Sequence, residues 1–367
     1  MSTIRLTSSA HALEAIEDIE SNPHPRPSFA NLGGDLFKTE LLLSIRPVSS
    51  VASARIFFAT DIHGSESCFK KFIYAAKVYK CDTLIMGGDI TGKKIIPCIK
   101  DAEDSFTVDW LGQHQTIRSR EALEQVKNSI RSVGSYPYEM TEDERAALAS
   151  DKSKFETLFE EIMCESVTKW VHYAEEKLKE TNVRCFIQPG NDDTFQIDDI
   201  LSRSERVENP EGRLIELSDG FEMISTGYSN PTPWNCPRDI SEKELEVRIN
   251  EMIHEVRDAS RCVFNFHCPP YDSELDTAPL LDDKLNVIIK QGQMQTAPVG
   301  SKAVRAAIEA QGPLLGLHGH IHESRGVFNI GRTTCINPGS EYTEGILRGV
   351  IVILDGTRVK SYQFTSG

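Results

Sequence analysis

Ile56-Phe57-Phe58-Ala59 runs directly into Thr60-Asp61-Ile62-His63-Gly64-Ser65, a short continuous apolar segment followed by a polar cluster that a glycine closes. An unbroken apolar run bounded by turn formers reads as a strand buried on both faces, the kind a parallel sheet uses. Phe69, Phe72, Ile73 and Ala76 then recur at helical spacing and predict a helix over Glu66–Tyr79. Thr83-Leu84-Ile85-Met86 repeats the apolar run and leads into Gly87-Gly88-Asp89. Strand, helix, strand in this order predicts an α/β chain, with polar clusters where the strands end.

Working outward, apolar runs recur at Arg184–Ile187, Phe221–Ser225, Cys262–Phe266, Leu314–Leu317 and Gly349–Leu354. Between Asp89 and Cys185 the chain is charged and reads as helical over Arg120–Arg131 and Thr141–Lys179, where Thr141 and Glu144 match a capping box. Phe155, Leu158, Ile162, Val167 and Trp170 lie on one apolar stripe there, as in a helix packed on a core. Upstream, Ala10–Glu20 reads as a short helix before the proline-rich 22–27 segment. The expected organisation is an N-terminal extension over residues 1–46 and one domain over 47–367, carrying a mainly helical insertion at about 93–182.

The 367 residues are 39% hydrophobic and 26% charged, a composition suited to a folded globular domain. The formal charge of −15, from 40 basic and 55 acidic side chains, disfavours extended contact with nucleic acid or anionic lipid. The 9 cysteines are scattered without a Cys-x-x-Cys pair, so reduced thiols and a cytoplasmic location are expected. No signal peptide or membrane-spanning run is apparent, and no membrane partner is expected.

The chemistry is concentrated in Asp61-x-His63, Gly88-Asp89, Gly190-Asn191-Asp192-Asp193, His267 and Gly319-His320-Ile321-His322, each following a strand-like run. Singly, these are ordinary turn residues. Jointly they supply neutral imidazoles, hard carboxylates and an amide oxygen, the mixture that two closely spaced divalent cations require. Strand alternation would let Asp61 and His63, or His320 and His322, point the same way and reach one cavity, if each strand continued through its motif.

This ordered set resembles the calcineurin-like metallophosphoesterases, whose signature runs D-x-H, G-D, G-N-H-[DE], an isolated His, and G-H-x-H. Asp61-Ile62-His63-Gly64-Ser65-Glu66 and Leu317-His318-Gly319-His320-Ile321-His322-Glu323-Ser324 are similar to the predicted phosphoesterases of its bacterial and archaeal branch. The resemblance spans roughly Arg55–Leu354 and implies a four-layer α/β/β/α sandwich with the helical insertion. It implies one metal on Asp61, His63 and His322, a second on Asn191, His267 and His320, and Asp89 bridging. Manganese, iron, zinc, nickel and cobalt all suit such ligands. The implied activity is phosphoester hydrolysis, with a diester favoured, by in-line attack of a water or hydroxide bridging the two metals.

Asp192 departs from that pattern, because it stands where the family has the histidine that protonates the leaving group. An aspartate beside two cations is held ionised and donates protons poorly. Three outcomes follow: preference for esters with acidic leaving groups, a different donor such as His318, or loss of activity. Asn191, Asp192 and His318 are accordingly the candidate catalytic residues beside the ligands. The alternative from another class is a protein-interaction module that keeps the fold and uses its acidic surface or its insertion. The substrate is expected to be a small phosphorylated molecule, and self-association through the insertion stays open. Asn230–Asn235 and Cys268–Asp272 are rigid aromatic-bearing loops that could wall the site or stack a nucleobase on Trp234 or Tyr271. Ser301-Lys302 could hold phosphate at a helix start, or simply cap it.

Overall fold

The structure is a computed structural model and describes residues 52–102 and 105–367. The expected helix over Ala10–Glu20 and the whole N-terminal extension over residues 1–46 lie outside the described residues.

Two six-stranded sheets form the centre. In the first, Arg358–Ser366, Arg348–Asp355, Ser53–Ala59, Thr83–Met86, Arg184–Ile187 and Val207–Glu208 lie side by side. In the second the order is Gly326–Ile330, Thr333–Asn337, Leu315–Leu317, Cys262–Phe266, Glu222–Thr226 and Leu214–Glu216. Ser53–Ala59, Thr83–Met86 and Arg184–Ile187 run parallel, as do Glu222–Thr226, Cys262–Phe266, Leu315–Leu317 and Thr333–Asn337. Parallel neighbours end at the same edge, which is why one motif after another arrives at one place.

The continuous apolar runs are explained by burial on both faces. Ile56, Phe58, Ile85 and Phe186 point inward to meet Met223, Val263, Leu315 and Leu317 of the facing sheet. The alternate residues Phe57, Leu84, Met86 and Ile187 point outward onto Phe69, Phe72 and Trp170 of the covering helices. Phe264 and Phe266 likewise face outward, onto Leu245, Ile249, Val304 and Ile308 of the helices Glu242–Ile253 and Lys302–Gln311. Helix, sheet, sheet and helix therefore make four layers, as the resemblance implies. Removing one fully enclosed ring, such as Phe58, would cost about 3–5 kcal/mol.

The segment after Asp89 differs from its sequence reading. The helical stretches are present as Arg120–Ser132, Glu142–Ser150 and Lys152–Leu178, and the capping box at Thr141 and Glu144 forms. They are joined, however, by a four-stranded sheet ordered Gln113–Ile117, Ser105–Trp110, Lys94–Ala102 and Ser135–Met140. One face encloses a small core of its own, Ile96, Cys98, Phe106, Val108, Leu123 and Ile130. The other face, through Ile95 and Tyr136, packs on Met163 and Phe159 of the long helix. The insertion is thus mixed α/β. A sheet covered on each face by only a few helical residues alternates apolar with polar side chains, so it lacks the continuous runs that mark the central strands.

Among the described residues no helix is long and apolar enough to cross a membrane. All the cysteines are unpaired thiols.

Candidate metal centre

The central strands stop short of their motifs. Ser53–Ala59 ends before Asp61 and Leu315–Leu317 ends before His320. Simple alternation therefore does not aim these pairs. Asp61, His63, Asp89 and His320 instead take left-handed backbone conformations, with φ of 53°, 39°, 52° and 68°. Such angles are costly for non-glycine residues and persist where the surroundings over-determine them, a pattern that concentrates at functional sites. Asp61 and His63 stay together, whereas His320 and His322 separate into different groups.

One group is Asp61, His63 and His322, another Asp89, His267 and His320, and a third, His63, Asp89 and Asp192, overlaps both; the ligand atoms of each lie within 4.8 Å of one another. His63 Nε2 faces His322 Nε2 at 3.0 Å, and His322 Nε2 lies 3.5 Å from Asp61 Oδ1. Asp89 stands between the groups. Its Oδ2 is 3.7 Å from His63 Nε2, and its Oδ1 is 3.4 Å from His267 Nε2. Two converging imidazole nitrogens and a carboxylate divided between two groups are what a pair of nearby cations would join.

The donors are aimed by their outer contacts. His267 Nδ1 donates to the Gly87 carbonyl at 2.9 Å, leaving Nε2 buried and facing Asp89 without a well-aligned hydrogen bond. Asn191 Nδ2 donates to Asp239 Oδ1 at 2.9 Å, so its buried Oδ1 is left unpartnered as a ligand atom. The His320 amide donates to both Asp61 oxygens at 3.0 and 3.1 Å. Gly190 and Gly319 lie so close to Asp89 and Asp61 that a Cβ on either would strike the carboxylate. This orphaned, oriented donor set fits two divalent cations. Asp61, His63 and His322 would hold one, Asn191, His267 and His320 the other, and Asp89 both.

The electrostatics agree. Burial should drive Asp61 upward, yet the hydrogen bond from His322 and the charge of His267 bring its pKa down to about 2. Asp89, equally buried, is held well below the usual carboxylate range by His267. Burial disfavours a charge on His267, but Asp89 and then Asp61 push its pKa up to about 10. Burial lowers His63 to about 3, keeping that ring neutral as a ligand must be. The two buried carboxylates are thus held below their usual range by the imidazoles beside them, and a bound cation would balance the same charge.

Sequence reasoning missed several supporting residues. Asp193 accepts from Ile90 N, Thr91 N, Thr91 Oγ1 and Gly190 N at 2.5–3.0 Å, tying the Asp89 loop to the Asn191 loop. Burial, then the charge of Asp89, raises its pKa to about 6. Its place in the acidic last position of G-N-H-[DE] was the available signal. Arg238 is fully buried, donates to the carbonyls of Asp193 and Thr194, and pairs with Asp198 at 2.9 Å. Lys93 forms a close ion pair with Asp192 Oδ2. Asp192 Oδ1 also accepts from the Cys236 thiol at 2.7 Å, so the departing residue is an acceptor that holds a lysine beside the ligand groups.

His318 is placed elsewhere. It is fully buried, its Nδ1 donates to the Phe266 carbonyl at 2.8 Å, and its Nε2 lies beside Gly316. It does not line the cavity over the metal groups, so the geometry gives no support to its candidacy as proton donor. Asn230–Trp234 does line that cavity and Tyr271 does not. Tyr271 instead lies under the Lys302 ammonium, 5.3 Å from the ring centroid. Ser301 caps its helix through Val304 N, and Glu242 takes the remaining amides there, which leaves no place for a phosphate.

No family model matches the chain. An uncharacterized protein of Methanocaldococcus jannaschii is 29% identical over 184 residues, which is 48% of this chain and 75% of that protein. A solved Thermus thermophilus protein is 12% identical with a TM-score of 0.47, over 87% of this chain and 99% of its own. A structure described as a novel archaeal phosphodiesterase is 13% identical with a TM-score of 0.30, over 85% and 99%. At these scores the likenesses add little to the chain's own layers and ligands. The two stacked sheets and the Asp61, His63, His322 and Asp89, His267, His320 groups agree with the layers and ligand types that the sequence resemblance implies. Against the motifs of that resemblance, Asp192 is the one departure.

Proposed function

We propose that the chain is a metal-dependent phosphoester hydrolase with a preference for phosphodiesters. The observation that carries this reading is Asp89, whose two oxygens face His63 and His267, one from each ligand group. When bound, two cations would acidify water and neutralise phosphoryl oxygens as charge develops in an in-line displacement. In that displacement a water oxygen bonds to phosphorus while the bond to the leaving alcohol or phenol breaks, and the water protons end on the products.

The chain's own residues frame that event. Asp61, Asp89 and the histidines set the positions of charge, and their outer hydrogen bonds hold those positions before substrate arrives. Asn191 presents its amide oxygen because Asp239 holds the amide nitrogen. Asp192 keeps the Lys93 ammonium beside the ligand groups, where a cation favours an anionic phosphoryl group. With a carboxylate in the usual histidine position, esters whose leaving groups need little protonation are the expected substrates.

The test compares hydrolysis of bis-(p-nitrophenyl) phosphate and p-nitrophenyl phosphate, with manganese present and then chelated, for the wild type and Asp192→His. Metal-dependent cleavage of the diester, with a gain on the monoester in the variant, supports the reading. Bound metal without turnover in either protein would favour the interaction-module alternative.

A further inference from the structure

The cavity over the metal groups has a volume of about 1150 Å³, far more than one phosphoryl group needs. Its inner end carries Asp89, Asn191, Asp192, His320 and His322, and beyond them the walls change character. Phe159 and Met163 enter from the long helix of the insertion, and Pro231, Pro233 and Trp234 from the loop after Tyr228. Leu280, Leu281, Leu285, Val287 and Val299 complete the wall from the segment between Asp276 and Gly300. That segment is ordered by its own backbone pairing, with Thr277–Pro279 on Thr296–Pro298 and Ile289–Lys290 on Gln293–Met294.

The apolar side chains are not sealed in a core. Trp234 is 62% exposed, Val287 43% and Leu280 39%. Large apolar groups clustered at the mouth of a polar site are a binding surface more often than accidental exposure. The polar side chains of the Asn230–Trp234 loop in this wall are already engaged within the protein. Asn230 donates to the Val299 carbonyl at 3.1 Å and accepts from the Cys268 thiol, and Thr232 Oγ1 donates to Asp239 at 2.5 Å. Neither is left to read the edge of a nucleobase. Among the lining residues Lys93 is the one lysine or arginine, while Glu156, Glu160 and Glu323 are carboxylates. A second phosphate, as in a dinucleotide or a sugar nucleotide, would meet like charge.

We propose that this site takes an ester of a single phosphoryl group bearing a bulky aliphatic substituent, which lies along the wall formed by Phe159, Trp234 and the Leu280–Val299 segment. The inference rests on the hydrolase reading for turnover but not for binding. The phosphoryl group is held at the metal end beside Lys93. The aliphatic group runs outward over Leu280 and Val287. Specificity then comes from apolar area removed from water, which grows with chain length.

The experiment has two arms on the manganese-loaded protein. In the first, methyl, butyl and octyl p-nitrophenyl phosphate are compared below their aggregation concentrations. The value of kcat/KM is expected to rise at least tenfold from methyl to octyl, mainly through KM, and Trp234→Ala and Leu280→Ser are expected to shrink the octyl-to-methyl ratio. In the second, binding of methylphosphonate and octylphosphonate is measured by calorimetry, with octyl expected at least tenfold tighter. Metal-dependent turnover with a flat chain-length series, or equal phosphonate affinities, overturns the inference and leaves the hydrolase reading standing. Tight octylphosphonate binding with no turnover of any ester sustains the inference and sinks the hydrolase reading.

Discussion

The metal cradle and the cavity wall above it are built on opposite plans. In the cradle, ligand after ligand is buried, fixed by an outer hydrogen bond and held on loops whose backbone adopts costly left-handed angles. The wall consists of apolar side chains in irregular segments, several of them substantially exposed. The cradle is where positions of charge must be exact to a fraction of an ångström. The wall needs only area and shape. On the proposed reading, reaction type resides in the strand-end loops, and substrate choice in the insertion and the segment between Asp276 and Gly300.

Substitutions that break the cradle should have the largest effects. His267→Ala removes a ligand and leaves Asp89 facing an empty volume, so loss of turnover should exceed the roughly 10–100-fold typical of an outer contact. It should also remove one equivalent of bound metal, measured by elemental analysis after dialysis. Retention of both metal equivalents would show that His267 is not a ligand. Asp239→Ala leaves every ligand in place but frees the Asn191 amide to turn. Metal affinity should fall by about 10–100-fold, and an unchanged titration would mean that Asp239 does not orient Asn191.

Protons sharpen the same comparison. Below its pKa of about 10, His267 carries a proton that a cation must displace. Affinity at this group should therefore weaken by about tenfold for each unit the pH falls. Calorimetric metal titrations in buffers of differing ionisation enthalpy would show the released proton, and no buffer dependence would contradict the assignment. The smallest effect is expected in the segment between Asp276 and Gly300. Ile289 is 66% exposed, so Ile289→Ser should change folding stability by less than about 0.5 kcal/mol in a thermal melt. A large destabilisation would make Ile289 part of a structural core.

The two regions also differ in how well the sequence reveals them. The central strands were legible because burial on both faces writes unbroken apolar runs, as in Ile56–Ala59 and Cys262–Phe266. The candidate ligands were legible because they are the histidines, carboxylates and asparagine that follow those runs. How they converge was not, since alternation cannot anticipate that Asp61 and His320 leave the strand into left-handed turns. The sheet of the insertion was hidden because Ser105–Trp110 alternates buried Phe106 and Val108 with the polar Ser105, Thr107 and Asp109. Lys93 and Arg238 were illegible for another reason: each has its role through partners distant in sequence, Asp192 and Asp198. Of the wall, the Asn230–Trp234 loop stood out by its prolines and tryptophan, whereas Leu280-Leu281, Leu285 and Val287-Ile288-Ile289 are short apolar pieces broken by polar residues.

The most direct test of the central claim is metal content measured together with hydrolysis of bis-(p-nitrophenyl) phosphate, for the wild type and Asp89→Asn, after chelation and reloading with manganese. Wild type should bind about two ions per chain and turn over. Asp89→Asn should bind fewer and show no turnover above background. Near-normal activity with a full metal complement in Asp89→Asn would contradict a bridged pair of cations at this site.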